Sequence, residues 1–283
     1  MVEPRWLSRA ARDGRLRAGV AVIAVIALVA ILAPWIAPFD PNATLDPVGL
    51  KLRGPSTSHL LGTDPLSRDV LSRMLAGSGV SLGIALGSTL LAFALGVAWG
   101  AAAGWTGGRV DGLMMRIVDA GLGLPRVLLL ILIVALWGSL TPLSLALVIG
   151  STGWFATSRL VRAAVRAERT LPHVRAARAL GGTEWHVFST HVLASAVGPA
   201  LVAAALGASH VLVLEAGLAV IGLGIAPPAA SWGTILYDGV AGLEVRWWLV
   251  VFPGIAILAA SAALTAIADA IRESADPRAM PSP

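Results

Sequence analysis

The chain is 283 residues long, 57% hydrophobic and only 13% charged, with a formal net charge of +5 at pH 7. An ordinary soluble domain is about 25% charged, so this composition excludes a chain that covers itself with polar surface and makes lipid part of its solvent. The absence of cysteine excludes disulfides, thiolate metal sites and a cysteine nucleophile, and the basic residues flank apolar runs rather than forming basic aromatic clusters, which argues for membrane orientation and against nucleic acid.

About 20 apolar residues cross a hydrocarbon core as a helix, and six stretches approach that length. The first, roughly 18–38, follows Arg5, Arg9, Arg12, Arg15 and Arg17. It is longer than a signal-peptide core and has no small-x-small cleavage site before Pro34 and Pro38, so it is expected to be retained as a helix. A 40–76 loop of balanced charge precedes the second stretch, roughly 78–104. The third, roughly 121–140, opens near LGLPRVLLLILIVALW, and the fourth, roughly 142–158, follows a turn without a basic residue. Segment 159–194 carries Arg159, Arg162, Arg166, Arg169, Arg175 and Arg178 and leads to the fifth stretch, roughly 195–214. The 215–246 loop holds Arg246 against Glu215, Asp238 and Glu244, and the sixth stretch is roughly 247–268.

Basic residues gather on the cytoplasmic side of short loops. Six helices with both termini in the cytoplasm satisfy every loop, with 40–76 and 215–246 outside and 159–194 inside. The expected fold is all-α and polytopic. An N-terminal part (1–76) holds the first helix and an outer loop, a core (77–271) holds five helices, and 272–283 is a cytoplasmic tail.

Gly83, Gly87, Gly96, Gly100 and Gly104 make a small-residue stripe on the second helix. Lipid gives no hydrophobic drive between helices, so such a stripe marks close packing, either within the bundle or at a dimer seam. Ionisable groups at membrane depth are candidate functional residues. His210 and Glu215 are the candidates here, as pathway-lining groups; for His210 a hydrogen-bonded packing role is the alternative. Five residues apart, they fall on different faces of a helix and do not make a metal pair, and His-Glu-x-x-His is absent.

The most informative stretch is TLPHVRAARALGGTEWHVFSTHVLASAVGP, residues 170–199. Thr170 can cap a helix with Pro172 in its first turn, Gly181 and Gly182 can end it, and Thr183 can cap the next. Ala176 and Ala177 leave a smooth face suited either to a groove on another protein or to a plain connector. This segment resembles the EAA loop of ABC importer permeases, which reads Glu-Ala-Ala, three residues, Gly. Here Arg175-Ala176-Ala177 precede Gly181, with Arg175 in the place of the Glu. His191-Val192-Leu193-Ala194-Ser195 stands where the peptide permeases have His-Ile-Leu-Pro-Asn, so Ala194 replaces the Pro.

Four further segments resemble the dipeptide/oligopeptide/nickel group of these permeases: HLLGTDPLSRDVLSRMLAGSGVSL (59–82), GWTGGRVDGLMMRIVDAGLGLP (104–125), EAGLAVIGLGIAPPAASWGTIL (215–236) and IADAIRESADPR (267–278). APWIAPFDPNA (33–43) is similar to the end of the first helix of the C-type subunit. The resemblance implies a type I ABC importer permease fold in a bacterial inner membrane. It implies a homologous second permease, two ATPase subunits and an extracytoplasmic solute-binding protein as partners, with peptide or a similar small solute as cargo and a nickel chelate or another small solute (opine, glutathione-like) as the alternative. Arg175, Ala176, Ala177, Gly181 and Gly182 would form the coupling element that the ATPases move. Pro227, Pro228, Ser231, Trp232 and Gly233 would form a rigid outer loop that meets the binding protein, with Trp232 alternatively anchoring in the membrane interface. Asp64, Arg68 and Asp69 of TDPLSRD are expected to form a structural charge network.

No Gly-x-x-x-x-Gly-Lys-[Ser/Thr] loop is present and the only lysine is Lys51. ATP and Mg are therefore expected on partner subunits, with no catalytic residue, metal or cofactor in this chain. An intramembrane hydrolase would need a nucleophile and base, and Ser209 beside His210 points its side chain about 100° away. A secondary transporter would need inverted repeats and midplane charges, and neither stands out.

Overall fold

The computed structural model describes residues 13–242 and 244–275. Arg5, Arg9, Arg12 and the 276–278 end of the last resembling segment lie outside them. The described residues are helical: α1 (Gly14–Ile36), α2 (Val70–Thr106), α3 (Gly108–Gly123), α4 (Arg126–Trp137), α5 (Pro142–Glu168), α6 (Pro172–Ala179), α7 (Glu184–Val220), α8 (Trp232–Val240) and α9 (Trp247–Ala275). A π-helical turn, Phe188–Leu193, interrupts α7. Two isolated β-bridges, Thr63–Asp69 and Leu140–Ile225, are the extended pairings found.

Helix boundaries follow local chemistry. The Asp69 carboxylate accepts from Ser72 N at 2.8 Å, so α2 starts eight residues before the apolar run that marks it in the sequence. Gly107, at φ +68, ends it. Thr141 and Ser144 form a reciprocal cap on α5 with Pro142 in its first turn. α7 begins at Glu184, well before the expected 195, and continues past 214.

The expected third span is not one helix. Leu124 is extended (φ −90, ψ 134) because the Pro125 ring excludes the helical conformation for the residue before it. The chain breaks there and α3 and α4 meet at 82°. α4, at 12 residues, is about 18 Å long and too short to cross alone. Four helices, α1, α2, α7 and α9, are long and apolar enough to cross a membrane, and the bent α3–α4 pair would be a fifth. α5 has 27 residues, about 40 Å, but its second half is Arg-rich. It is the remaining member of the expected six.

α2 and α5 form the most extensive helix pair, and the glycine stripe explains how. A Cβ on Gly96 would lie 2.6 Å from Thr157 Cβ, and one on Gly104 would lie 2.9 Å from Arg162 O. On Gly100 it would overlap the Ser158 carbonyl oxygen. Gly83 meets nothing within 4 Å and Gly87 only Ala146, so the stripe divides. Its second half is an intramolecular seam and its first half faces outward.

The central core joins Ile84, Leu130, Leu145, Ile149, Leu212 and Ala260 from α2, α4, α5, α7 and α9. A second cluster, with Val161, Val165, Val174, Val187 and Val192, fastens α6 to α5 and α7. Apolar side chains such as Val25, Ile31 and Trp35 point outward from α1, as lipid allows and water would not.

Candidate functional site

At the Arg-rich end of the bundle, the arginines that read as topology signals also have partners. Asp111 on α3 accepts from Arg162 Nη2 at 2.6 Å and from Arg162 Nε, and Arg166 Nη1 donates to it at 3.2 Å. Arg159 pairs with Asp119. Arg169, just past α5, donates to Gly104 O at 2.9 Å and to Trp105 O. It thereby satisfies carbonyls that the C-terminus of α2 leaves free. The guanidiniums of Arg169 and Arg178 each lie 5.1 Å from the Trp105 ring, within cation–π range.

This lattice holds α6. Its N-cap is Leu171, without a side-chain bond, rather than Thr170. The Thr170 carbonyl instead accepts from Arg175 Nε at 3.1 Å and Nη2 at 2.9 Å. Arg175 thus folds back on the turn before its own helix. Val174 is fully buried beneath α6, Ala177 is half-buried, and Ala176 is exposed. Gly182 N donates to Ala177 O at 3.1 Å and Gly181 sits at φ +86, where side chains other than hydrogen are strained. Thr183 caps α7 through His186 N at 3.3 Å. Arg178 grips Glu184 across the turn at 2.9 and 3.2 Å.

The protruding tip holds two residues not singled out in the sequence: Leu180, 89% exposed, and Trp185, 73% exposed. Their signal was large apolar residues flanking a Gly-Gly turn in an otherwise basic loop.

The opposite end divides the five loop residues. Pro227 and Pro228 are exposed, whereas Ser231, Trp232 and Gly233 are buried. Trp232 is 3% exposed. Its N donates to Ser81 Oγ at 3.0 Å and its Nε1 to Met74 O at 3.2 Å. It is therefore a core anchor between α8 and α2, neither an interfacial belt residue nor a surface contact. Its indole needs a partner once buried, and α2 supplies one. Ser231 caps α8 and donates to Glu215 Oε1 at 2.6 Å.

Glu215, 1% exposed, therefore does not line an open path. It ties α7 to the loop before α8, and the expected 215–246 loop begins only after Val220. His210 is exposed on α7 and lines a cavity with Arg126 and Thr89. The two candidates do not share a site.

Asp64 and Arg68 form the expected network, extended by Arg73 and Asp238. Asp64 Oδ2 accepts from Arg68 Nε at 2.6 Å, and Arg73 Nε lies 3.2 Å away. Asp238 lies 3.6 Å from Arg68 and 3.9 Å from Arg73. Burial pushes the Asp238 carboxyl up to about 6, against the pull of the two guanidiniums. Asp69 leaves this set and instead caps α2 and meets His59 Nδ1 at 2.9 Å.

Residues 96–280 match the family model for the binding-protein-dependent transport system inner membrane component. Residues 13–55 match that for the N-terminal TM domain of oligopeptide transport permease C. The chain is 38% identical over 266 residues to the dipeptide transport system permease protein DppC of Escherichia coli (strain K12), spanning 92% of this chain and 88% of that one. It is 36% identical over 278 residues to the di/tripeptide transport system permease protein DppC of Pseudomonas aeruginosa (strain UCBPP-PA14), spanning 96% and 91%. With the family model covering well over half its length and these relatives aligned along nearly all of it, the chain belongs to the inner membrane components of binding-protein-dependent transport systems and is a permease subunit.

Proposed function

We propose that this chain forms one half of the translocation pathway of an ATP-driven importer for peptides or a similar small solute, and that α6 is the element on which an ATPase subunit acts. The reading has the Arg-rich end and both termini in the cytoplasm. A homologous permease supplies the other half, two ATPase subunits dock below, and an extracytoplasmic binding protein delivers cargo at the Pro227–Pro228 end. ATP and Mg belong to the ATPases, since this chain has no phosphate-cradling loop. The peptide cargo is inferred from the dipeptide and di/tripeptide permeases to which the chain is similar.

The observation that carries the coupling role is the construction of α6. It is short, anchored from below by Val174 and laterally by Arg175 and Arg178, and it lifts an apolar tip clear of the bundle. A rigid helix with a protruding Leu180 can transmit a push, whereas a loose connector would absorb it.

The test is ATP hydrolysis by the assembled transporter in liposomes, with empty and peptide-loaded binding protein. Loaded binding protein is expected to stimulate hydrolysis. Gly181→Trp, which places bulk at the tip and strains a left-handed backbone position, is expected to assemble and lose most of that stimulation. An assembled variant that responds like wild type removes α6 from the coupling path. A wild type that ignores peptide but responds to a loaded nickel chelate keeps the permease reading and replaces the cargo.

A further inference from the structure

A cavity of about 360 Å³ opens between α2, α4, α5 and α7, lined among others by Ser88, Thr89, Arg126, Gly153, Thr157 and His210. It lies at mid-depth. Ser88 is the middle residue of α2 and Gly153 falls near the middle of α5, while His210 lies ten residues before the C-terminal end of α7. Arg126 reaches this depth because the break at Leu124–Pro125 starts α4 there. Interrupted helices at the bilayer midplane are where transport proteins build substrate contacts.

The chemistry of the lining is one-sided. Arg126 Nη2 donates to Ile149 O at 2.9 Å, but its Nε has no partner, nor has Thr89 Oγ1, and both atoms are buried. Among the described residues no carboxylate lies within ion-pair distance of Arg126, and the lining contains no acidic residue. A guanidinium at membrane depth ordinarily has a counter-charge or faces a pathway. The seat is shaped for it: a Cβ on Gly153 would fall 2.9 Å from Arg126 Nη2, so position 153 leaves the guanidinium its room. Arg126, Thr89 and His210 bring donors to a place with no anionic acceptor. A planar carboxylate, which accepts several hydrogen bonds and pairs with guanidinium in fork geometry, is the group that fits. An ammonium group would meet only positive charge.

We propose that this cavity is a way-station for the carboxylate of the passing cargo, with Arg126 as its counter-charge and Thr89 and His210 as supporting donors. The proposal builds on the reading of the chain as a permease for peptides or similar small solutes.

The chain lacks cysteine, so Ala204→Cys, on the α7 wall of the cavity, supplies a single thiol. Its alkylation rate is measured in the complex with the partner permease, with sodium acetate, Ala-Ala, Ala-Ala amide or sodium chloride added. Acetate and Ala-Ala are expected to slow alkylation several-fold, and the amide and chloride to leave it unchanged. Adding Arg126→Gln should abolish the protection, and adding Gly153→Ala, which keeps the charge but displaces it, should weaken it. Equal protection by acid and amide, equal protection by chloride, or protection that survives both variants would overturn the proposal. This binding readout needs neither cargo delivery nor ATP. If peptide fails to stimulate ATP hydrolysis while acetate protects in an Arg126-dependent way, the cargo reading falls and the carboxylate site stands.

Discussion

Asp64→Ala is expected to lower the apparent melting temperature of the detergent-solubilised protein by on the order of 10 °C. Asp64 is fully buried, and Arg68 and Arg73 are nearly so, at 6% and 2% exposed. Its Oδ2 lies between their two guanidiniums, and its Oδ1 accepts from Leu66 N at 2.8 Å and Arg68 N at 2.9 Å. Removing the carboxylate leaves two buried cations against Asp238 alone, and breaking a buried pair from one side costs about 3–5 kcal/mol. The same residue orders the turn that delivers the chain to Asp69 and the start of α2. The double variant Asp64→Ala, Arg73→Met should recover part of the loss, since one uncompensated cation has gone. The check is thermal unfolding followed by tryptophan fluorescence. A single variant that melts within about 2 °C of wild type would show that the network contributes nothing to stability.

Gly100→Ala is the second large effect. Its methyl would overlap the Ser158 carbonyl oxygen and lie 2.9 Å from Val161 Cβ. Neither can yield without separating α2 from α5, the most extensive pair in the bundle. Overpacking of this kind costs about 1–3 kcal/mol, and it outweighs the roughly 1 kcal/mol by which alanine favours a helix over glycine. Gly83→Ala is the contrast, since a methyl there meets nothing within 4 Å and should be neutral to slightly stabilising. Thermal unfolding of the two variants side by side separates the seam from the open half of the stripe. Equal behaviour would mean that the glycines act through propensity alone.

What the sequence shows plainly is set by local, periodic or compositional physics. The apolar runs mark α1, α2, α7 and α9, and the 170–183 punctuation marks α6, its Gly turn and the Thr183 cap. Boundaries that polar side chains set were hidden. α2 begins at Val70 because of a cap bond from Asp69, and the 121–140 run conceals a break because hydropathy averages over the single proline that makes it.

The candidate sites show the same division. Trp232 reads as an interfacial aromatic in one dimension. Its burial depends on Met74 and Ser81, about 150 residues away in the chain. Glu215 reads as a membrane acid facing a path, and only the tertiary approach of Ser231 shows it spent on packing. In the sequence Arg126 is a single charge inside the apolar run LGLPRVLLLILIVALW. Its meaning comes from the break before it and from Gly153 on another helix.

In the proposed coupling, α6 delivers its tip to an ATPase subunit on the cytoplasmic side. The most direct measurement uses Leu180→Cys, the only thiol in a chain without cysteine, in sealed membrane vesicles of known orientation containing the assembled transporter. An impermeant maleimide is expected to label this thiol only where the cytoplasmic face is accessible, and a short bifunctional reagent to join it to the ATPase subunit. Labelling from the outer face, or cross-linking to the solute-binding protein in place of the ATPase, would contradict it.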